Sequence, residues 1–341
     1  MSLIRFVALV IALGATALAA GCSVIGVLSG RMPDPVSSIV VGPAWEFDVV
    51  DPYAVPGFWA KAQLHVHTDR SIDGKWSVAE ALAVYAGLGY DFVVLTDHDA
   101  VTVPGAAPAG LAAFPGEEHT LSHETYPLGR HAVFLFTRRR PSGGTIDAKF
   151  ADVVSMGGLA VIAHPSWNGY GGNGEWHPWE IAAAPPFHLM EVYNPHSDPD
   201  RDTALWHAAA LRRGPANPVW AVAVDDAHAA SDANRGWTMV KVEGTDLAQL
   251  RAALLRGSHY ATTGIIAEFG VDANGAIEAR SSEAAEIAFI NAANERVLAL
   301  HNVLEGKYQP VGTEGFVRVE IRSLSGERRA WSQPFWLVEK P

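Results

Sequence analysis

The sequence predicts an α/β fold: a barrel of alternating strands and helices followed by a small all-β sandwich. From Trp59 to about Arg256 short apolar runs alternate with amphipathic stretches, and repeated strand-helix units build a parallel sheet that closes on itself when enough of them follow one another. Past Tyr260 the helical pattern stops, and short apolar runs separated by turn-forming pairs replace it. Strand after strand in the first region also ends in histidine or a carboxylate.

The chain opens on an address. Arg5 precedes an apolar stretch from Phe6 to about Ala20, too short and wrongly flanked for a spanning helix but right for the core of a secretory signal. It closes on Leu18-Ala19-Ala20-Gly21 directly before Cys22, the single cysteine, so intrachain disulfides are excluded. This pattern resembles a bacterial lipobox. Residues 1–21 are therefore expected to be a lipoprotein signal peptide and Cys22 the acylated residue of an extracytoplasmic, envelope-anchored protein, with an ordinary signal peptide as the alternative. Residues 22–57, rich in Pro, Gly and Val, read as a tether.

The barrel is expected over 58–262. Residues 62–66, 92–95, 159–163, 189–193 and 219–224 read as strands, and 78–90, 146–156, 203–212 and 247–256 as helices. The sandwich is expected over 263–341, with turns at Asp272-Ala273-Asn274-Gly275, Glu305-Gly306 and Ser325-Gly326. A formal net charge of −12 argues against nucleic acid or an anionic lipid surface as the main partner, because both need basic patches for counterion release. Membrane contact is expected through the lipid anchor only. The run Arg138-Arg139-Arg140 reads as a solvated loop edge.

Chemistry concentrates at the strand ends. His65 and His67 are two apart, so on a strand both imidazoles face one side. Later runs give Thr96-Asp97-His98-Asp99, Ala163-His164-Pro165, Glu191 to Asn194, and Asp225-Asp226-Ala227-His228. Strand-helix barrels carry their active sites at these C-terminal strand ends. Asp97 is placed to orient an imidazole or to cap a strand end. Glu191 faces ligands or substrate, or is a buried structural carboxylate. Arg235 could grip a phosphate or carboxylate, against the reading of a plain surface arginine. Trp167, Trp176 and Trp179 flank a glycine-rich run that roofs a pocket or simply packs.

The ordered motifs His65-x-His67, Ser71-Ile72-Asp73-Gly74, Thr96-Asp97-His98-Asp99, Pro115-Gly116-Glu117-Glu118, Ala163-His164-Pro165 and Asp226-x-His228 resemble those of the polymerase-and-histidinol-phosphatase (PHP) family. The resemblance spans about Trp59 to Thr263 and implies a distorted (β/α)7 barrel holding two or three divalent ions, manganese, iron or zinc. The segment with Ala330-Trp331-Ser332-Gln333-Pro334 is similar to the β-sandwich that follows this barrel in some secreted members. Carried over, the resemblance assigns His65, His67, Asp73, His98, Glu118, His131, His164, Asp226 and His228 to metal. Glu117 competes with Glu118 and Asp69 with Asp73. His131 opens its strand instead of ending it, so His119 and His123 stand as alternatives.

Mixed nitrogen and oxygen ligands suit borderline divalent ions. Such ions lower the pKa of a bridging water from about 15.7 towards 7 and so supply hydroxide at neutral pH. No Gly-rich phosphate loop or Gly-x-Ser-x-Gly elbow offers another route. The expected function is hydrolysis of a small-molecule ester, a phosphoester first. A carbamate or carboxylic ester is the alternative, and a metal-containing surface binding protein is a third reading. An arginine- or lysine-lined pocket would favour phosphate, a tryptophan-lined one the neutral ester.

Overall fold

The computed structural model describes residues 46–121, 129–169 and 172–340. The first half runs β1 (Phe47–Val50), β2 (Phe58–Gln63), α1 (Val78–Gly87), β3 (Phe92–Leu95), β4 (Ala112–Thr120), β5 (His131–Leu135), α2 (Ile146–Ser155), β6 (Leu159–Ile162), α3 (Pro178–Ala183), β7 (Leu189–Tyr193), α4 (Pro199–Arg213) and β8 (Trp220–Ala223). A short 3-10 turn leads to β9 (Trp237–Val242), α5 (Leu247–Arg256) and β10 (His259–Thr262). Six strands complete the chain: β11 (Ala267–Val271), β12 (Ile277–Asn291), β13 (Arg296–Tyr308), β14 (Phe316–Ser323), β15 (Arg329–Trp331) and β16 (Phe335–Glu339).

Local chemistry sets the boundaries. Ser77 and Glu80 form a reciprocal cap at the start of α1. The helix stops at Gly87, short of the expected 90, because Gly89 adopts φ +74° and turns the chain away. α4 begins at Pro199, four residues before the expected 203, because the Asp198 side chain caps it and proline is preset for the first helical position. The runs FVVL, LAVI and WAVA of β3, β6 and β8 are buried throughout, the signature of strands covered on both faces.

The pairing order is β2-β3-β4-β5-β6-β7-β8. The pairs β2-β3, β3-β4, β6-β7 and β7-β8 are parallel, whereas β5 runs antiparallel to both of its neighbours. Beyond the ends of β2 and β8 a parallel bridge joins Val66 to Ala227, so the first and last of these seven strands meet. The β3-β4 connection carries no helix. The remaining strands are antiparallel, and β9 and β10 carry the sheet from β2 to β15, through the expected boundary at 262. β1 also differs from expectation: residues 47–50, at the end of the expected tether, pair in register with β16. Phe47 and Val49 of β1 and Phe335 and Leu337 of β16 pack on the same core and supply the apolar face that such pairing needs.

Along most of its length β8 has no strand opposite its second edge, and side chains take that place. Gln333 is fully buried, with Oε1 accepting from the Ala221 N–H and Nε2 donating to the Ala221 carbonyl, both at 2.8 Å. The Thr238 hydroxyl meets the N–H and carbonyl of Ala223 in the same way, at 3.2 and 3.0 Å. A second link clamps α4 to β14. Arg318 donates from Nε to His207 Nδ1 at 2.8 Å, and His207 Nε2 donates to the Ala292 carbonyl at 3.1 Å. Burial and the adjacent guanidinium push His207 down to about 3, so its ring is neutral.

Replacing Gln333 with alanine leaves the buried N–H and carbonyl of Ala221 without partners. Each unpaired group costs about 1–3 kcal/mol, so urea unfolding of Gln333→Ala is expected to reach its midpoint well before the parent. An unchanged midpoint would mean that this edge is satisfied in another way.

Candidate metal centre

The strand ends converge. Beyond β2, Leu64 and Val66 point into the core while His65 and His67 point the other way, with their Nε2 atoms 3.1 Å apart. Glu118 of β4 sits at the middle of the group. Its Oε1 lies 2.8 Å from both His131 Nδ1 and His164 Nε2. Its Oε2 lies 3.0 Å from His98 Nδ1 and 3.2 Å from Nε2 of His65 and of His67. Asp226 Oδ1 approaches His67 Nε2 at 3.0 Å and His65 Nε2 at 3.4 Å, and Asp73 Oδ2 approaches His228 Nε2 at 3.1 Å and His98 Nε2 at 3.5 Å. All nine residues expected as ligands thus form one continuous cluster.

The open choices resolve geometrically. Glu117 points to the other side of β4, where it meets His119 Nδ1 at 2.6 Å and Arg140 Nε at 3.1 Å. Asp69 is half exposed beside Arg70, away from the cluster. His131 reaches Glu118 because β5 runs backwards, so its first residue arrives at the edge where its antiparallel neighbours β4 and β6 end. His119 stays with Glu117, and His123 lies outside the described residues. The side group of Asp99, Glu117 and His119 has metal-ligand composition, yet its charge is already met by Arg140 on Asp99 at 2.7 Å and by Lys149 Nζ on His119 Nε2 at 2.8 Å. Arg140 is thereby an ion-pair partner, not the solvated loop edge expected of it.

Four overlapping groups have ligand atoms within 4.8 Å of one another: His67, Asp73, His98 and His228; His65, His67, Glu118 and Asp226; His98, Glu118 and His131; and His196, Asp226 and His228. The donor set fits divalent cations. Glu118 Oε2 and Asp226 Oδ1 are buried and accept no hydrogen bond of normal geometry. His65 Nδ1 faces Glu191 Oε1 at 2.8 Å and His228 Nδ1 faces the Asp226 carbonyl at 2.9 Å, so in each neutral ring the proton belongs on Nδ1 and the Nε2 lone pair is turned inward. In the ion-free protein the charges answer one another. Burial pulls His65 down, but Asp226, Glu118 and Glu191 outweigh it and hold the ring well above the usual imidazole range. Burial pushes Glu118 up, and His98, His131 and His65 outweigh that and hold it well below the usual carboxylate range. His131 is shifted downward by burial despite Glu118. A cation entering this cluster therefore displaces protons, and its affinity falls with acid.

The supporting residues act through hydrogen bonds. Glu191 is fully buried behind His65, and its Oε2 accepts the His164 N–H at 2.6 Å and Asn194 Nδ2 at 2.9 Å. Asn194 donates onward to Asp226 Oδ2 at 3.1 Å. His164 and Asp226 both hold positive φ, 25° and 48°, strain that these bonds help to sustain. Asp97 touches no imidazole. It accepts the N–H groups of Thr68 (2.6 Å) and Ser71 (3.2 Å), and Ser71 Oγ in turn meets His67 Nδ1 at 3.1 Å. Asp225 accepts the N–H groups of Asn234, Arg235 and Gly236 at 2.7, 2.6 and 2.9 Å, which fixes the loop after β8.

Arg235 is not brought in: its side chain, 46% exposed, turns to Asp232 at 3.1 Å. Of the three tryptophans, Trp167 lines the cavity over the cluster, Trp176 is core and donates to the His131 carbonyl, and Trp179 is exposed. His196 lines the same cavity. Sequence reasoning did not name His196, and it quoted Asn194, Ser71 and Asp225 within motifs without giving them a role. Among the described residues no helix is long and apolar enough to cross a membrane, and Cys22 with its apolar leader lies outside them.

Neither a protein-family model nor a curated protein matches the chain. Among solved structures it is similar to a two-domain protein from Bacteroides vulgatus ATCC 8482 containing a predicted PHP-like metal-dependent phosphoesterase, at 14% identity, over 84% of this chain and 97% of that one, with a TM-score of 0.50. It is similar over a shorter extent to the lesion-specific endonuclease PfuEndoQ from Pyrococcus furiosus, at 12% identity, over 58% of this chain and 56% of that one, with a TM-score of 0.38. The first likeness shows that the chain shares its fold with that two-domain protein; the second adds nothing to it.

The contrast between adjacent glutamates is testable. Glu118→Gln should lower the metal retained after desalting to one equivalent or less, whereas Glu117→Gln should retain the parent's content by elemental analysis. Equal losses in the two variants would displace Glu118 from the centre.

Proposed function

We propose that this chain is a metal-dependent hydrolase of the PHP family that cleaves a small-molecule ester, a phosphoester first, outside the cytoplasm. One observation carries the proposal: nine ligand-type side chains from several strand ends and the loop after β2 meet in one cluster around a carboxylate that faces five imidazoles. Overlapping ligand groups, four around this cluster, suit a reaction in which a nucleophile and ester oxygens are held together. On this reading strands β2 to β8 are the distorted (β/α)7 barrel, 58–262, and 263–341 is the β-sandwich. Residues 1–21 are the signal peptide and 22–57 the tether, whose last part adds β1 to the β-sandwich.

His67, Asp73, His98 and His228 would hold one ion, His65, His67, Glu118 and Asp226 a second, and His98, Glu118 and His131 a third, with His164 beside Glu118. Manganese, iron and zinc all suit this nitrogen and oxygen set. Bound there, the ions supply Lewis-acid polarisation of the ester and water acidified towards hydroxide at neutral pH. The protein's part is positional. Glu191 keeps the His65 proton on Nδ1, Asn194 joins Glu191 to Asp226, and Asp97 fixes the Ser71 turn against His67. Trp167 covers one side of the cavity and limits water there.

A second reading is favoured by the lining. Among the described residues around the cavity there is no arginine or lysine, and one tryptophan. That composition suits a carbamate or carboxylic ester as well as a phosphoester.

The test is a screen of the metal-loaded protein against phosphomonoesters, phosphodiesters and carboxylic esters, with His164→Ala and Asp226→Ala as controls. Hydrolysis is expected in the parent, and a loss of about a hundredfold or more in kcat/KM in folded variants, beyond the 10- to 100-fold typical of residues that only orient a ligand. Parental turnover in either variant would remove the site. A fully loaded parent inert on every ester would favour the binding-protein reading.

The lipid anchor is tested separately. Cys22→Ser should release the protein from membrane fractions and block processing after Gly21. Unchanged fractionation would reduce the leader to an ordinary signal.

A further inference from the structure

Seven of the nine candidate ligands line the cavity of about 70 Å3 over the cluster, and His196 lines it with them. The nine are buried or half-buried, whereas His196 is exposed. It shares a ligand group with Asp226 and His228, in which the three side chains offer ligand atoms within 4.8 Å of one another. Its ring stands almost perpendicular to that of His228, at 87° with centroids 6.1 Å apart. Among the described residues the His196 imidazole makes no hydrogen bond, so nothing else there employs its nitrogens.

The backbone that carries this ring is fixed on both sides. Asn194, fully buried, donates from Nδ2 to Glu191 and Asp226, and its Oδ1 accepts the His196 N–H at 2.9 Å. Its carbonyl accepts the Ser197 N–H at 3.2 Å, Ser197 Oγ donates to the buried Asp202, and the Asp198 N–H donates to Ser166 Oγ at 2.8 Å. The imidazole therefore turns about its own side-chain bonds from an anchored Cα. Proton counting decides which ion it meets. His228 Nδ1 donates to the Asp226 carbonyl at 2.9 Å, which leaves one lone pair, on Nε2, 3.1 Å from Asp73 Oδ2. An ion on His228 is thus the ion on Asp73, and His196 joins that ion instead of founding another. His67, Asp73, His98 and His228 are the other side chains of that ion's group. An octahedral ion keeps positions open beyond these, and zinc takes an added ligand.

We propose that His196 is a reversible further ligand that caps the ion at Asp73 and His228 while the site is empty and yields its position to an oxygen of the entering ester. The proposal rests on the hydrolase reading and concerns the regulation of that same site. The exchange replaces one donor atom on the ion by another, and no covalent bond forms or breaks. One side chain then has two opposed effects: it holds the metal more tightly at rest, and it weakens the apparent binding of any anion that must displace it. A cap closed about nine-tenths of the time weakens such an anion about tenfold.

Two titrations of the zinc-loaded full chain test it, one with a chelator and one, by calorimetry, with inorganic phosphate as the anion. The side chain is exposed, so His196→Ala leaves the core and the nine buried or half-buried ligands in place. In that variant the least tightly held zinc should bind about tenfold more weakly, at the lower end of the losses seen when a group supporting a metal is removed. Phosphate should bind about three- to tenfold more tightly. Imidazole added to His196→Ala should restore the parent's value in both titrations. The opposed signs single out a cap. A side chain that only props the loop would weaken zinc and phosphate together, and one that only grips the ester would weaken phosphate with zinc unchanged. Either of those results, or a variant identical to the parent, overturns the proposal and leaves the hydrolase reading standing wherever the parent turns over an ester. Opposed shifts in a parent and variant that hydrolyse no ester support the cap and overturn the hydrolase reading.

Discussion

A carboxylate removed from water and surrounded by five imidazoles is expensive to bury unless charge and hydrogen bonding answer it from every side, and Glu118 is in that position. The constraint reaches far along the chain. Residues 65, 67, 98, 131, 164, 226 and 228 must arrive at one point, which fixes where strands β2, β3, β5, β6 and β8 stop or start. It also explains the reversed β5: His131 can approach Glu118 only if its strand begins at that edge. The ion-free protein balances the site with paired protons and carboxylates, and divalent cations would replace those protons with a stronger and more directional charge.

Around this point lies a ring of groups that never touch the cluster's centre but determine its shape. Glu191 serves His65, His164 and Asn194 at once, so one buried side chain ties β2, β6 and β7 together. Asp97 and Asp225 do comparable work on loops, each collecting backbone N–H groups that would otherwise be unpaired. The positive φ values at His164 and Asp226 show where this enforcement is strongest, because those backbones would relax without the surrounding bonds.

The sequence makes much of this legible. A period of two places His65 and His67 on one face, the strand-end runs point to His98, His164, Asp226 and His228, and the family resemblance of the ordered motifs adds Asp73, Glu118 and His131. What it misses depends on direction and on long-range contact. Nothing local in residues 131–135 says that the strand runs backwards, so His131 looks misplaced until β4 and β6 are seen beside it. Asp97 looks like a partner for an imidazole because it precedes His98, yet the twist beyond β3 turns it to the Thr68 turn instead. Arg235 is drawn to a partner three residues away, Asp232, a local pairing that outcompetes the distant site. Residues 47–50 read as linker because a single edge strand of four residues carries little pattern until its partner β16 is known.

The side-chain ladder on β8 has a consequence for how the molecule comes apart. Ala221 has its N–H and carbonyl completed by Gln333, which lies 112 residues further on, and α4 is held through His207 by Arg318 of β14. The last third of the chain is therefore part of the hydrogen-bond inventory of the first two thirds, not an appendage hung from it. Thermal or chemical denaturation should accordingly proceed as one cooperative event, and the strands that carry the ligands have no independent folded life once the C-terminal segment is cut away.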